Sequence, residues 1–181
     1  MISIARLLLF FVITMGYNAF FRNTVKMNRS LTWVFTFSVI TLVLYLGSLL
    51  GFMLQTVYAI SVLGCLLSLY YLWAVWKKKY RFRRLDYIAL GMMAYLLLFG
   101  ITLWHSPLLH YDNFTHWATI VKFFHINNAL PTQQDTIISY YTYPVGSSLF
   151  IYFFTTIVGF SEGSMLVGQF FLIASSLYAM F

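Results

Sequence analysis

The chain contains four histidines, and all of them fall within residues 105–125. Asp112 and Lys122 lie in the same stretch, and Asp135 follows it. From Asp86 onward the only charged side chains are Asp86, Asp112, Lys122, Asp135 and Glu162, so polar chemistry is concentrated in one segment. Within Asp112–His125, the residues Asp112, His116 and Thr119 recur at helical steps, with Lys122 beside them. Trp117, Ile120, Val121 and Phe124 fall on the opposite face, and Asn127, Asn128 and Pro131 end the pattern. This spacing predicts a short amphipathic helix along an interface, with a carboxylate and an imidazole on its polar face. A carboxylate near apolar surface can accept a proton from a hydroxyl, which would make Asp112 a general base. His116 would then orient a substrate or phosphate, and Lys122 would face that phosphate. The alternative is purely structural: Asp112 caps the helix or sits in its first turn, His116 faces water, and Lys122 snorkels.

His105, His110, His116, His125 and Asp112 lack a metal-ligand spacing, so no protein-held metal site is predicted. A divalent cation would have to arrive with a phosphate substrate. Pro144 suits the first turn of a helix, and Gly146, Ser147 and Ser148 suit close packing better than nucleophilic chemistry. Asn113-Phe114-Thr115 is formally a glycosylation acceptor. Cys65, the single cysteine, lies in an apolar run and reads as a small buried hydrophobe. There is no P-loop, GxGxxG or CxxC pair.

The elements that would position these residues are membrane helices. Hydrophobic residues make up 61% of the 181 and charged residues 8%, too apolar a balance for a soluble core of this size. Ser30–Trp76 contains no charged side chain, a length that fits a hairpin of two crossings at roughly 20 residues each. The fold class expected is all-α and polytopic, with about six membrane segments: Ile4–Phe21, Leu31–Leu50, Val57–Trp76, Tyr87–Trp104, Tyr143–Phe160 and Ser164–Phe181. The first reads as an uncleaved helix despite its superficial likeness to a signal peptide. Residues 1–181 form a single transmembrane domain, with the candidate site in an extracytoplasmic loop, residues 105–142. The apolar run reaching Phe181 leads to the expectation of an N-terminal fragment.

The net charge of +7 comes from two basic clusters flanking apolar segments, at Arg22–Arg29 and Lys77–Arg84. That arrangement marks cytoplasmic loops and contact with membrane lipids, not nucleic acid. Residues 22–29 and 77–86 are therefore placed inside the cell membrane and residues 105–142 outside. The same scheme makes the Glu162 loop cytoplasmic and sends the sixth segment outward. Tyr70, Tyr71, Trp73, Trp76, Trp104, Tyr140, Tyr141 and Tyr143 are read as interface anchors.

The residues Tyr111-Asp112-Asn-Phe-Thr-His116-Trp117, Lys122, Asn128-Ala-Leu-Pro131 and Tyr143-Pro144-Val-Gly146-Ser147-Ser148-Leu149 carry a resemblance. They look like a family of large bacterial multi-spanning membrane proteins similar to the C-type fold of lipid-phosphosugar glycosyltransferases, the superfamily of protein mannosyltransferases and lipid A aminoarabinose transferases. The resemblance implies a catalytic Asp112 assisted by His116, with Lys122, Tyr143 and His125 near the substrate. It also implies a polyprenyl-phosphate sugar as donor and envelope-glycan machinery as partner. In that superfamily the acidic loop usually follows the first crossing and often bears two carboxylates. Here more segments precede the loop, and Asp112 is followed by Asn113, leaving Asp135 as the other carboxylate available. A transporter or permease subunit, or a non-catalytic component of polysaccharide assembly, is the alternative from the same composition.

Overall fold

The computed structural model describes residues 4–77, 87–138 and 142–181. The expected anchors Tyr140 and Tyr141, and all of the second basic cluster except Lys77, lie outside the described residues. The architecture is all-α: α1 (Ile4–Asn23), α2 (Arg29–Leu49), α3 (Met53–Trp76), α4 (Tyr87–Trp104), α5 (Tyr111–Thr115), α6 (Trp117–Asn127), α7 (Gly146–Val158) and α8 (Glu162–Tyr178). The first four are long and apolar enough to cross a membrane. Their large outward-facing side chains, such as Leu42, Leu66 and Leu97, are what a lipid-facing surface requires.

Short connections at Thr24–Asn28 and Leu50–Phe52 make α1, α2 and α3 alternate in direction, so α1 and α3 run parallel. These two meet at Gly16 and Gly64. A Cβ on Gly16 would run into the Gly64 carbonyl and lie 2.8 Å from the Ser68 nitrogen. Hydrogen bonds cross that contact from Tyr17 Oη to the Ile60 carbonyl (2.8 Å) and from Ser68 Oγ to the Val12 carbonyl. Thr24 and Tyr71 hydroxyls meet at 2.6 Å near the far end. Close backbone approach of small residues and side-chain-to-carbonyl bonds replace the hydrophobic drive that is missing between helices in lipid. Tyr71 is thus drawn inward, whereas Trp73 and Trp76 remain exposed near the helix end.

The molecule has two distinct ends. One gathers the α1–α2 connection, Lys77 and the start of α4, and is called here the basic end. The other, the cap end, holds the α2–α3 turn, the end of α4 at Trp104 and the helices α5, α6 and α7. The α1–α2 connection and Lys77 thus share one end, as a single membrane orientation requires.

Beyond Trp104 the structure corrects the expected path. The apolar segment Tyr143–Phe160 was expected to cross, placing Glu162 on the opposite side from residues 105–142. Its helix, α7, is only 13 residues, about 20 Å, well short of an apolar bilayer core of roughly 30 Å. It stops at Gly159, whose φ of 117° lies where only glycine is comfortable. Glu162 Oε2 then accepts the Leu108 backbone N–H at 2.9 Å. Gly163 packs so tightly on the end of α4 that a Cβ would strike the Trp104 carbonyl. Glu162 therefore shares the cap end with residues 105–110. From there α8 runs back antiparallel to α4, with Phe170 against Tyr95 and Phe99. Tyr178 and Phe181 finish beside Asn28 and Ile88 at the basic end. The sixth segment thus has the direction opposite to the one expected.

The reason is what surrounds α7. Residues Ser148–Thr155 are all buried, packed among α1, α2, α6 and α8. Phe150 and Phe154 sit against Phe10, and Phe150 also against Phe37. An all-round apolar helix fits burial in protein as well as it fits lipid, and hydropathy alone cannot separate the two.

Candidate functional site

The cap is two-layered: α6 lies over α7, both running in the same direction. Ser148 Oγ near the start of α7 donates to the Trp117 carbonyl at the start of α6 (3.2 Å). Near the other end, His125 Nε2 meets Thr155 Oγ1 at 2.8 Å. Ala118, Ile120, Val121 and Phe124 form the buried stripe of α6, which departs from the expected stripe only in that Trp117 is half-buried and Ala118 fully so. Asn128 ends α6 in the left-handed region, as its residue type allows, and its Oδ1 accepts the Tyr152 hydroxyl (2.8 Å).

The single helix expected over Asp112–His125 is two helices. The backbone breaks at His116, with φ −126° and ψ −105°. Thr119 Oγ1 donates to the Phe114 carbonyl, capturing an acceptor that a continuous helix would have offered to a backbone N–H. Asp112 lies in the first turn of α5 and His116 at the junction, so no shared helical face carries them both.

The partner of Asp112 is His110. The His110 Nδ1 accepts the Asp112 backbone N–H at 3.3 Å, capping α5, and stands 3.4 Å from Asp112 Oδ2. These two contacts require different proton inventories. A neutral ring can accept at Nδ1, whereas only a ring protonated there can donate to the carboxylate. A shift of the ring proton from Nε2 to Nδ1 therefore exchanges the helix cap for a hydrogen bond to the carboxylate. Both side chains are well exposed, so the pair faces water or a ligand above the cap. Sequence reasoning missed this pairing because it sought the carboxylate's partner four residues ahead on a helix. The signal lay two residues behind, where a side-chain acceptor before the first turn can take the role of an N-cap.

The remaining site residues divide. His116 packs edge-on against Tyr143 at 5.1 Å, tying the α5–α6 junction to the segment that enters α7. Lys122 is half-buried, and its ammonium makes no hydrogen bond or ion pair among the described residues. His125 lies between α6 and α7, with ring contacts to Tyr152 (4.9 Å) and Phe160 (4.6 Å). Burial lowers its pKa to about 4, so the ring is neutral at physiological pH. This position makes His125 an internal tie, away from the exposed pair. Asp135 is committed to its own turn: Oδ2 accepts the Thr132 N–H (2.7 Å) and hydroxyl (2.9 Å). It does not join Asp112 as a second carboxylate. His105 likewise closes the end of α4, with Nδ1 3.0 Å from the Ile101 carbonyl. Asn113 of the formal glycosylation acceptor is buried. Among the described residues, no group of three or more His, Cys, Asp or Glu side chains is placed to hold a metal ion.

No protein-family model, curated protein or solved structure matches the chain.

Proposed function

We propose that the chain is a cell-membrane enzyme of the glycosyltransferase type, working at the cap end on a lipid-linked phosphosugar. In this reading the basic end, with residues 22–29 and 77–86, is cytoplasmic, in keeping with the positive-inside rule, and residues 105–142 are extracytoplasmic. The donor is a polyprenyl-phosphate sugar and the acceptor a hydroxyl of the cell envelope. Asp112 takes the acceptor's proton as the hydroxyl oxygen bonds to the anomeric carbon. The bond from that carbon to the phosphate oxygen breaks, and polyprenyl phosphate leaves. Lys122 and His116 face the phosphate, and Tyr143 flanks the donor. A divalent cation, where used, would come with the phosphate.

The observation that carries the reading is the His110–Asp112 pair, an exposed carboxylate and imidazole whose contacts depend on one proton. Lys122, without a counter-ion among the described residues, supplies the complementary cation on the next helix. His110 replaces His116 as the imidazole beside the base.

The test is transfer of radiolabelled polyprenyl-phosphate sugar by membranes carrying the chain, beside Asp112→Asn and Lys122→Gln. Loss of a general base is expected to lower turnover by about 100-fold or more. Loss of Lys122 should mainly raise the KM for the donor. Unchanged transfer in Asp112→Asn, or no transfer by the unaltered chain, refutes the proposal.

A further inference from the structure

At the basic end, Asn28, Arg29, Ser30, Ile88, Tyr178 and Phe181 line a shallow groove between the starts of α2 and α4 and the end of α8. Its polar wall is the first turn of α2. The Asn28 side chain accepts the Arg29 N–H at 2.9 Å, and the Thr32 N–H returns to the Asn28 carbonyl. The amides of Ser30 and Leu31 remain without acceptors among the described residues, as expected within the first turn of a helix.

Ser30 is the second, independent observation. Its side chain is more than nine-tenths buried and lines the groove, yet its hydroxyl has no hydrogen-bond partner among the described residues. The hydroxyl is also not fully enclosed, since among the described residues the one such side-chain atom lacking a partner is Asn18 Nδ2. A buried hydroxyl normally bonds, and serines in helices usually do so to a carbonyl one turn back. Here it is left open beside open amides. Both favour an anion. The opposite wall is apolar, with Ile88 and Phe181 substantially exposed. An amphiphile fits both walls at once.

We propose that this groove binds a phosphate ester, with an anionic lipid headgroup and dissolved phosphate as its two sources. Oxygens of the phosphate would accept from the Ser30 hydroxyl and the α2 amides. An acyl chain would lie along Ile88 and Phe181. The site is at the end opposite Asp112 and stands independently of the activity proposed for the cap.

The chain would be reconstituted into vesicles of equal phosphatidylglycerol and phosphatidylcholine, extracted mildly, and weighed with its retained lipid by native mass spectrometry. Retention of phosphatidylglycerol in preference to phosphatidylcholine is expected. Ser30→Leu, which fills the groove, should reduce that retention about tenfold, as loss of one charge-assisted hydrogen bond implies. Ser30→Ala, the milder change, should reduce it in the same direction, with helicity by circular dichroism confirming the fold. Lys77→Gln, at the same end but outside the groove, should leave it unchanged. Displacement of the lipid by inorganic phosphate, followed by 31P line broadening that Ser30→Leu abolishes, would assign the site to dissolved phosphate. Resistance to such displacement would assign it to the lipid. Equal retention of both lipids, equal retention in all variants, or loss in Lys77→Gln matching that in Ser30→Leu would overturn the proposal.

Discussion

Acidification should loosen the two-layered cap through one residue. Thr155 Oγ1 donates to the Ile151 carbonyl at 2.8 Å, so its oxygen accepts from His125 Nε2, which fixes the ring proton there. Protonating Nδ1 then places a charge between Tyr152 and Phe160. The sign follows directly. The folded pKa of about 4 lies below the ordinary 6.5, so between these values the opened state binds more protons. Stability of the α6–α7 contact is complete above pH 6.5 and declines as pH falls toward 4. The full shift corresponds to about 3 kcal/mol, which the partial exposure of the ring reduces to about 1–2 kcal/mol. Hydrogen exchange of the α6 and α7 peptides in nanodiscs, corrected for intrinsic rates, measures this locally. Opening of these peptides should rise about five- to thirtyfold between pH 7 and pH 4.5, with α1 and α3 unaffected. His125→Gln keeps a donor for Thr155 and should abolish the dependence. Equal pH dependence in His125→Gln, or none in the unaltered chain, would refute the reasoning.

Further outcomes concern topology and packing. In a Cys65→Ser background, Glu162→Cys and Asp112→Cys should be labelled by an impermeant maleimide from one side and Lys26→Cys from the other; opposite labelling of positions 112 and 162 would contradict the fold. Gly163→Val should separate α4 from α8, costing about 2–3 kcal/mol by overpacking and lowering the thermal midpoint in detergent. Tyr152→Phe should cost about 1 kcal/mol through the lost bond to Asn128, again read by thermal unfolding. His110→Ala should weaken the cap of α5 and leave the thermal stability of the spanning helices unchanged.

The helices that face lipid were legible in the sequence because lipid imposes one rule along their whole length. The end expected for the fourth segment, Trp104, is the one found. The third helix begins at Met53, four residues before the expected Val57, because the turn closes within Leu50–Phe52 with Gly51 at φ 79°. Where protein surrounds a helix, the sequence became ambiguous. Phe150, Phe153 and Phe154 look the same facing hydrocarbon or facing Phe10 and Phe171, so α7 read as a crossing. The buried stripe of α6 was visible in its periodicity, whereas the break at His116 depends on the Thr119 side chain, which periodicity does not register. The juxtaposition of His110 and Asp112 was hidden for the same reason. It arises from a non-helical residue turning back on the first turn.

The contact of Gly163 with Trp104 also bears on how the chain tolerates change. It brings the two ends of residues 105–162 together, so everything between them is an insertion into a simple α4–α8 hairpin. An insertion whose ends meet can lengthen, shorten or be exchanged at small entropic cost to the frame that bears it. The exposed α5 and its flanking loops can then diverge faster than α7, which is held by its packing on α1, α2 and α8. Grafting the cap onto another antiparallel helix pair of matching separation becomes a feasible construction, provided that the α7 face toward α1 and α2 is given a new apolar partner.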